Sequence, residues 1–431
     1  SKIMERLFLT RIIDHVENSS NYSRFQSAYR KGFSTETALL RMLNDVYSAA
    51  DQKQTALLVL LDLSAAFDCI DIPTLLRRLE HTFGVSNVPL RWLTSYLDGR
   101  SQFVRLGTAR SDTMHNDYGV PQGSVLGPLL FTLYVAPVTG IIQELGLNLV
   151  QYADDTQIYM HMKSGETNVN SLEYCFNSVR QWFLLNGLQL NPDKSEAIQL
   201  GTAAKLRSGY RVSDISLGDH RLTLSSSVKT LGVQIDRALS FTEHVDTVCK
   251  SSRFHINALR HIRNCVDLET AKDIASSIVG SRIDYCNSLL YGISNANQHK
   301  LQLLQNTLAR VVKRTRKYDH ITPVLRNLHW LPITARINYK IAVLTYKLLS
   351  TNTPSYLSEV ISVHHPSRQL RSAANRTLSV PYVRTQFGAR AFRHAAPTIW
   401  NSLPASITSA SSSLATFKRD LKTFYYKQSF P

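Results

Sequence analysis

Two hydrophobic periodicities alternate along the first 237 residues of the chain. The run Leu57–Leu61 is continuously apolar, which is typical of a strand buried on both faces, and it ends at Asp62. Apolar residues at helical spacing predict helices at 2–16, 35–50, 71–83, 87–97, 129–135 and 170–186. Strands are predicted at 57–63, 102–107, 148–150, 158–160, 188–200 and 228–235. This alternation predicts a layered α/β or α+β domain.

From Ser240 onward only the helical periodicity remains. Helices are predicted at 240–264, 268–282, 296–316 and 334–350. Residues 351–412 are rich in Pro, Ser and Arg and show little periodicity, and an amphipathic helix beginning near Leu414 closes the chain. The C-terminal part is therefore expected to be mostly helical.

Several helix starts carry capping signals. Ser34 is a predicted N-cap, and Asp71 is another, with Pro73 in the first turn behind it. The pairs Asn170 with Glu173 and Ser240 with Glu243 have the spacing of capping boxes.

The charge of the chain is unevenly distributed. Its net charge is +17, yet residues 1–249 hold 23 Lys or Arg and 25 Asp or Glu, whereas residues 250–431 hold 26 and 7. A surface of net charge +19 in the second part favours contact with a polyanion such as nucleic acid, and plain solubility is the alternative.

Cysteine usage and hydropathy exclude several classes. The five cysteines stand far apart with no C-x-x-C pair, which suggests neither a disulfide framework nor a zinc site and fits a reducing, intracellular location. The apolar stretch Val125–Gln143 is interrupted by glycines and prolines, so we interpret it as buried core and expect no membrane contact. The chain begins at Ser1, and we expect it to be a piece of a longer protein.

Three carboxylates are candidates for one site. Asp154 and Asp155 occupy the predicted turn between two short strands, where an Asp pair is also common in ordinary surface turns. Asp62 ends a buried strand, and burying its charge is costly unless a cation pairs with it. If the three converge, they could hold two divalent cations about 3.5–4 Å apart, the arrangement that supports phosphoryl transfer in polymerases and in nucleases.

Other segments suit phosphate or flat ligands. Arg30 and Lys31 precede Gly32 and a helix start, which favours phosphate binding or simply a solvated loop. Glycines on both sides of the Pro121-Gln122 pair would allow a ligand or backbone to approach closely, or would serve only a tight turn. The basic run Lys313–Lys317 is either a phosphate contact, a nuclear-localisation-like patch or a solvated helix end.

Four sequence motifs decide between polymerase and nuclease chemistry, because their order along the chain is that of a known family. They are Asp62-Leu-Ser-Ala-Ala-Phe67-Asp68, Gly119-Val-Pro-Gln122-Gly123-Ser, Tyr152-Ala-Asp154-Asp155 and Leu188-Gln-Leu-Asn191-Pro-Asp-Lys194-Ser. Over residues 1–240 the chain resembles the reverse transcriptases of non-LTR (LINE-type) retrotransposons. The segments Ser281–Gly292, Asp319–Leu325, Leu328–Pro332 and Trp400–Pro404 resemble the region after the polymerase in the chicken-repeat and Jockey-like branch.

The resemblance implies an α+β fold in the shape of a right hand. Residues 1–55 would form partial fingers and 56–237 the palm with its reverse transcriptase motifs. Residues 238–350 would form a helical thumb and the helices that follow it, and 351–431 a basic, mostly helical C-terminal extension. The Arg-Pro-Ile-Ser segment, the further fingers residues and the endonuclease that precede this region in the family are absent from this sequence, and it carries no C-terminal zinc knuckle.

The resemblance also assigns roles to residues. Asp62, Asp154 and Asp155 would ligate two Mg²⁺ ions, with Mn²⁺ as the alternative. Lys194 would protonate pyrophosphate as a catalytic residue. The nucleotide-binding set would be Arg30, Lys31, Phe67, Gln122 and Gly123, with Phe67 excluding a ribose 2′-OH. Leu231 and Gly232 would form the primer grip.

The implied function is RNA-directed DNA polymerisation for a retrotransposon. RNA template, DNA primer and deoxynucleoside triphosphates would be the partners, with an RNA–protein particle of the element as a further one, in nucleus and cytoplasm. The alternative is a truncated, catalytically inactive remnant that binds nucleic acid. A two-metal nuclease is disfavoured by the nucleotide-selecting contexts of Phe67 and Gln122.

Overall fold

The computed structural model describes residues 2–163, 169–208, 212–364, 377–409 and 413–431. Within these ranges, none of the helices has both the length and the apolar character that crossing a bilayer requires. The described residues combine helices with short antiparallel strands, so the mixed helix and sheet class is confirmed.

The strands are short, and the longest of them surround the candidate carboxylates. Their bounds are β1 Thr55–Leu61, β2 Leu63–Ser64, β3 Ser101–Gln102, β4 Arg105–Leu106, β5 Ala109–Arg110, β6 Met114–His115, β7 Asn148–Tyr152, β8 Asp155–Met162, β9 Gln189–Leu190, β10 Glu196–Leu200, β11 Asp214–Leu217, β12 His220–Thr223, β13 Ser227–Thr230 and β14 Val233–Asp236.

The helices follow the predicted periodicity for most of the chain. Their bounds are α1 Lys2–Glu17, α2 Thr35–Asp51, α3 Ile72–His81, α4 Asn87–Leu97, α5 Gly127–Val135, α6 Val138–Glu144, α7 Asn170–Leu185, α8 Ala203–Arg207, α9 Thr242–Ile262, α10 Leu268–Ile274, α11 Ser281–Asp284, α12 Asn295–Lys313, α13 Ile321–Leu328, α14 Ile333–Thr351, α15 Ser355–Ser358, α16 Phe392–Asn401, α17 Ala405–Thr408 and α18 Leu414–Ser429. A π-helical turn, Ala275–Gly280, joins α10 to α11.

A four-stranded antiparallel sheet of order β10-β1-β8-β7 forms the centre of the N-terminal region. Leu57, Leu58 and Val59 of β1 are completely buried, as the continuous apolar run predicts for a strand covered on both faces. Helix α2 packs against β1 and β7, and α6 packs against β7 and α7. Leu61 pairs with Thr156, so the end of β1 lies beside the start of β8.

Two predicted caps are confirmed and two capping boxes are wrong. Ser34 and Thr37 cap α2 reciprocally, and the Asp71 carboxylate accepts a hydrogen bond from Thr74 N at the start of α3. Val169 is the N-cap of α7, so Asn170 already lies inside that helix. Phe241, in a left-handed conformation, precedes α9 in the place expected for Ser240.

Two further strands differ from the sequence prediction. The strand expected at 188–200 is split into β9 and β10, because the segment Asn191–Ser195 forms a turn in which Ser195 N donates to Asn191 O at 3.1 Å. The strand expected at 102–107 is two strands of two residues each, β3 and β4, on the exposed stretch 101–115.

The first helix is confirmed at Lys2–Glu17, but its apolar stripe is only partly buried. Of its apolar stripe, Ile12 and Val16 are buried, but Ile3 is 78% exposed and Leu7 54% exposed. The stripe therefore packs only at its C-terminal end.

The C-terminal region is built from helices, including several that the sequence did not predict. Helix α13 was missed, and α15, α16 and α17 occupy the stretch expected to lack periodicity. Phe417 of α18 stacks on Tyr346 of α14, with ring centroids 4.3 Å apart, and on Trp400 of α16 at 5.8 Å. The buried apolar residues of both regions form one continuous hydrophobic cluster.

Candidate active site

The turn between β7 and β8 carries the acid pair, as predicted. Tyr152 pairs with Asp155 across the hairpin, which leaves Ala153 and Asp154 at its tip. Ala153 has φ of 57°, in the left-handed region where a non-glycine residue is strained. The chain must therefore supply interactions that hold this turn in place.

The side chain of Gln26 supplies them. Its Oε1 accepts a hydrogen bond from Ala153 N at 2.9 Å, and its Nε2 donates to Ala153 O at 3.2 Å. Gln26 is 1% exposed. The backbone beside it is aligned with β7, because Ser27 N donates to Gln151 O at 2.9 Å and Gln151 N donates to Phe25 O at 3.1 Å. The sequence analysis missed Gln26, because no spacing rule relates a loop glutamine to a turn more than a hundred residues away.

The third carboxylate lies beside this turn. Asp62 follows β1 directly, and the antiparallel pairing of β1 with β8 brings it close to Asp155. Lys194 Nζ lies 3.9 Å from Asp62 Oδ2. The position of Lys194 follows from the turn at Asn191, whose N donates to Asp62 O at 2.9 Å.

The three carboxylates influence one another electrostatically. Partial burial, followed by the charge of Asp62, raises the pKa of Asp154. Partial burial and the charges of Asp154 and Asp62 raise the pKa of Asp155 to about 6. The ionised forms therefore repel one another, and a bound cation would relieve that repulsion.

The donor set fits Mg²⁺ by its chemistry, since carboxylate oxygens are the ligands this ion prefers. Among the described residues, however, no three His, Cys, Asp or Glu side chains are arranged closely enough to hold a metal ion as they stand. Asp62, Asp154 and Asp155 are adjacent and mutually repelling, and metal binding requires their side chains to turn toward one another.

A cavity of about 220 Å³ opens next to these residues. The site residues that line it come from four different segments of the chain and include Asp62, Asp155, Lys194, Lys229, Leu231 and Gly232. The structure thus places the β13–β14 turn, predicted as the primer grip, beside the carboxylates and the lysine. Leu231 has φ of 45° and Gly232 has φ of 79°, so this turn also has left-handed backbone.

Asp68 and Gln122 line a second cavity, of about 920 Å³, and Phe67 and Gly123 are their neighbours in the sequence. Gln122 Nε2 donates to both Asp68 carboxylate oxygens, at 2.8 and 2.9 Å, and both residues line this cavity. The Phe67 ring stacks on Phe131 with centroids 4.5 Å apart. A Cβ at Gly119 would lie 2.9 Å from Asp68 O, so this glycine permits the close approach of the two segments.

Arg30 has structural partners. Its guanidinium donates to Ser23 O and Gln26 O at 3.2 Å, lies 3.5 Å from the Glu17 carboxylate and stacks on Phe33 at 4.1 Å. Its side chain is 11% exposed. Lys31 next to it is exposed. A triphosphate contact by either residue stays a prediction.

Tyr29 is a second residue near the site that the sequence did not single out. Its side chain is 56% exposed and its φ is 60°. Partial burial, with Asp154 and Tyr152 nearby, raises the pKa of its phenol. Tyr29 belongs to the same loop as Gln26, so this loop borders the acid pair.

The candidate site combines an acid pair at a hairpin tip, a third acid at the end of a buried strand and a lysine close to that third acid. The part of the chain that carries these residues also matches a known protein family. A family model described as reverse transcriptase (RNA-dependent DNA polymerase) matches residues 1–235. The chain belongs to the reverse transcriptase family.

The curated relatives of this reverse transcriptase confirm the branch that the motifs indicated. It is 28% identical over 323 residues to the RNA-directed DNA polymerase from mobile element jockey of Drosophila melanogaster, an alignment that covers 72% of this chain and 34% of that protein. It is 25% identical over 346 residues to the probable RNA-directed DNA polymerase from transposon X-element of the same species, covering 78% and 37%. The chain spans about a third of the length of these relatives.

Among solved structures, the reverse transcriptase resembles telomerase from Candida tropicalis in complex with a fragment of telomeric RNA. The identity is 12%, the match covers 75% of this chain and 56% of that chain, and the TM-score is 0.41.

Proposed function

We propose that this chain performs the polymerase chemistry of a non-LTR retrotransposon, extending a DNA primer on an RNA template with deoxynucleoside triphosphates. The observation that carries the proposal is the cavity lined by Asp62, Asp155 and Lys194 beside the β13–β14 turn. The relatives that share the reverse transcriptase motifs are named RNA-directed DNA polymerases.

In the proposed reaction, the primer 3′ oxygen attacks the α-phosphorus of the incoming nucleotide. A phosphodiester bond forms, the bond to pyrophosphate breaks, and the 3′ hydroxyl passes its proton to solvent water. Two Mg²⁺ or Mn²⁺ ions held by Asp62, Asp154 and Asp155 would stabilise the charge on the attacking and leaving oxygens. Lys194, placed 3.9 Å from Asp62, would give a proton to the departing pyrophosphate.

We propose that nucleotide selection takes place at the edge of the second cavity, which Gln122 lines and which Phe67 and Gly123 adjoin in the sequence. We propose that Phe67 limits the space for a ribose 2′-OH and that Gln122 and Gly123 pack against the incoming nucleotide and the template base. The stacking of Phe67 on Phe131 supports the first role, because it fixes the position of the ring. The hydrogen bonds from Gln122 to Asp68 support the second, because they fix the segment that carries it.

The right-hand architecture is part of the proposal. Residues 1–55 would be partial fingers, 56–237 the palm, 238–350 the thumb and its following helices, and 351–431 the basic C-terminal extension. The central sheet β10-β1-β8-β7 lies in the proposed palm, and the described part of 238–350 is helical apart from its connections.

The proposed thumb contains two long parallel helices, α9 and α12. At one end, Asn297 Nδ2 donates to Ser240 O at 3.1 Å. At the other end, Arg314 donates to Arg263 O at 2.7 Å. The helices contain 21 and 19 residues, so their C-terminal ends lie about 30 Å from their N-terminal ends. Helix α9 packs against β14, and Gln234 N donates to His244 Nδ1 at 3.4 Å, so the N-terminal end of α9 lies beside the strand that follows the Leu231-Gly232 turn.

A basic cavity of about 790 Å³ occupies the shared C-terminal end of these helices. Its cationic lining residues are Arg260, Arg263, Arg310, Arg314 and Lys317. Arg263 and Arg314 bind backbone carbonyls at the two helix ends, where helix dipoles favour cations. We propose that Arg260, Arg310 and Lys317 contact backbone phosphates of the template–primer duplex.

The cellular setting is also proposed. All five cysteines are free thiols, which supports a reducing compartment, and we propose that the protein works in the nucleus and cytoplasm, in an RNA–protein particle of its element.

Primer extension tests the proposed reaction. We expect this chain to extend oligo(dT) on poly(rA) with Mg²⁺ and the Asp154→Ala, Asp155→Ala double variant to lose extension while it still binds the hybrid. Extension that survives in the double variant would refute the assignment of the carboxylates. Absence of extension in both proteins, with hybrid binding intact, would refute polymerase activity of this chain and leave nucleic-acid binding as its function.

A further inference from the structure

Tyr285 contacts the turn that lies beside the candidate carboxylates. Its hydroxyl donates to Leu231 O at 2.7 Å. Its ring lies against Gly232, where an added Cβ would meet the ring carbon and the hydroxyl oxygen at 3.2 Å. Tyr285 therefore touches both residues of the β13–β14 turn, one through a hydrogen bond and the other through packing.

The same hydroxyl reaches the N-terminal region of the chain. It lies 3.2 Å from Thr35 Oγ1, in the first turn of α2. Tyr152 of the acid-pair hairpin is near enough to contribute to the raised pKa of the phenol, whose main cause is partial burial. Tyr285 thus joins three segments that are distant in sequence: the start of α2, the β13–β14 turn and the neighbourhood of the acid pair.

The chain on both sides of Tyr285 is fixed by charged groups. On one side, Asp284 forms an ion pair with Arg336 of α14, whose Nε donates to Asp284 Oδ1 at 2.8 Å. On the other side, Ser288 N and Oγ donate to Glu36 Oε1 at 3.2 and 2.6 Å. Glu36 is 7% exposed and also pairs with Lys340.

These contacts account for a segment of the sequence that the polymerase chemistry leaves unused. Asp284, Tyr285 and Ser288 belong to the stretch Ser281–Gly292, which resembles the region after the polymerase in related elements. Asp284 and Ser288 are anchored by charged partners, and Tyr285 lies between them in the sequence. The Tyr285 side chain contacts the turn beside the candidate active site.

We infer that Tyr285 is a positioning residue for the primer terminus. By donating a hydrogen bond to Leu231 O and packing on Gly232, Tyr285 fixes the position of the β13–β14 turn relative to Asp62 and Asp155. That turn fixes the position of a primer 3′ nucleotide that rests on it. The strained φ of Leu231 makes the turn dependent on such support. This inference rests on the proposed function.

Tyr285→Phe isolates the hydroxyl, because the ring remains to pack on Gly232. Tyr426→Phe is the matched control, since the Tyr426 hydroxyl donates to a backbone carbonyl, Arg326 O, at 2.9 Å, away from the candidate site residues. A neutral hydrogen bond of this kind corresponds to a change of about five- to ten-fold in a rate.

Single-turnover addition of one nucleotide on a template–primer is the measurement. We expect Tyr285→Phe to lower the maximum addition rate about five- to ten-fold and to leave the KM for nucleotide, the Kd for template–primer and the thermal midpoint unchanged. Tyr426→Phe is expected to change none of them. An unchanged rate in Tyr285→Phe would overturn the inference, and a parallel fall in rate, binding and thermal midpoint would do the same by showing a purely structural role.

A second readout separates failure of the inference from failure of the proposed function. The primer carries 2-aminopurine at its 3′ terminus, and its fluorescence reports the stacking of that nucleotide in the complex. We expect the emission of the bound primer to differ between Tyr285→Phe and the unaltered chain, even if neither adds a nucleotide. Identical emission, with both proteins bound, would overturn the inference.

Discussion

Gln26 brackets the peptide unit at Ala153 with both atoms of its side-chain amide, accepting from the backbone N and donating to the backbone O. The two residues are 127 positions apart. Ala153 is strained by its positive φ and precedes Asp154 directly. The geometry of the acid pair therefore depends on a neutral, buried glutamine from another loop.

The first prediction concerns this bracket. Gln26→Ala leaves the buried Ala153 amide without its partner, and we expect a loss of about 1–3 kcal/mol in the free energy of unfolding. Primer extension should fall at least ten-fold, because Asp154 moves with the turn. Gln189→Ala, at an exposed position, serves as the control and should leave both quantities unchanged. Full activity in Gln26→Ala would contradict the dependence of the turn on this residue.

The second prediction follows from the pKa of Asp155, which is raised to about 6. An acid whose pKa is raised in the folded state destabilises that state once it ionises. Asp155→Asn should therefore stabilise the metal-free protein at pH 7, by about 1 kcal/mol after allowance for solvent screening. The gain should develop between about pH 4 and pH 6 and disappear below pH 4.

Thermal unfolding in EDTA across that pH range checks this prediction. Added Mg²⁺ should raise the thermal midpoint of the unaltered protein at pH 7 more than that of Asp155→Asn, because the variant lacks one of the proposed ligands. Equal midpoints of the two proteins at every pH would show that the carboxylates do not repel one another in the folded state.

The third prediction concerns the sugar of the incoming nucleotide. Phe67→Val removes the ring that stacks on Phe131 and opens the space beside a ribose C2′. We expect the preference for deoxynucleotides over ribonucleotides to fall at least ten-fold, while addition of deoxynucleotides falls less. Competing incorporation of dTTP and UTP on poly(rA) measures it. An unchanged preference would place sugar selection elsewhere.

The fourth prediction concerns the basic cavity at the ends of α9 and α12. Replacing Arg260, Arg310 and Lys317 by Gln removes up to three of the proposed phosphate contacts, so the slope of log K against log salt should become shallower by up to about 3 for a duplex. The triple replacement of Lys418, Arg419 and Lys422 by Gln on α18 removes the same charge as a control.

Duplex length sharpens that test. Since the cavity lies about 30 Å from the N-terminal ends of α9 and α12, the effect of the triple variant should appear with duplexes longer than about ten base pairs and be small with shorter ones. A slope equal to that of the control variant at every length would remove this cavity from the nucleic-acid surface.

Much of the fold was predictable because it depends on local patterns. The apolar run of β1 and the stripe of α7 specify their elements almost alone, and Ser34 and Asp71 cap helices as their chemistry requires. The two predicted capping boxes had suitable residue types at the right spacing, but each of these helices begins at a different residue. Glu173, for example, accepts from Ser216 N at 2.8 Å instead of closing a cap of its own helix.

The residues of the candidate site also fall into those that local sequence patterns indicate and those that only the packing of distant elements reveals. Asp62, Asp154, Asp155 and Lys194 were found because each sits in a motif with its own sequence signature. Gln26 and Tyr285 were not, because their contacts span 127 and 54 positions and are set by how elements pack. Arg30 was interpreted from its charge, and the structure gives that charge partners in its own loop and, through Glu17, at the end of α1.

The carboxylate of Asp51, at the end of α2, accepts hydrogen bonds from Arg384 N, Thr385 N and Thr385 Oγ1, at 2.8 to 3.0 Å. Gly388 lies so close that an added Cβ would stand 2.5 Å from Asp51 Oδ1. The family match ends at residue 235, but cooperative unfolding should extend past that boundary, because residues 384–401 pack against α2. In evolutionary terms, we expect a recombinant that joins residues 1–235 to a C-terminal region from another lineage to inherit a mismatched core before it inherits a new specificity.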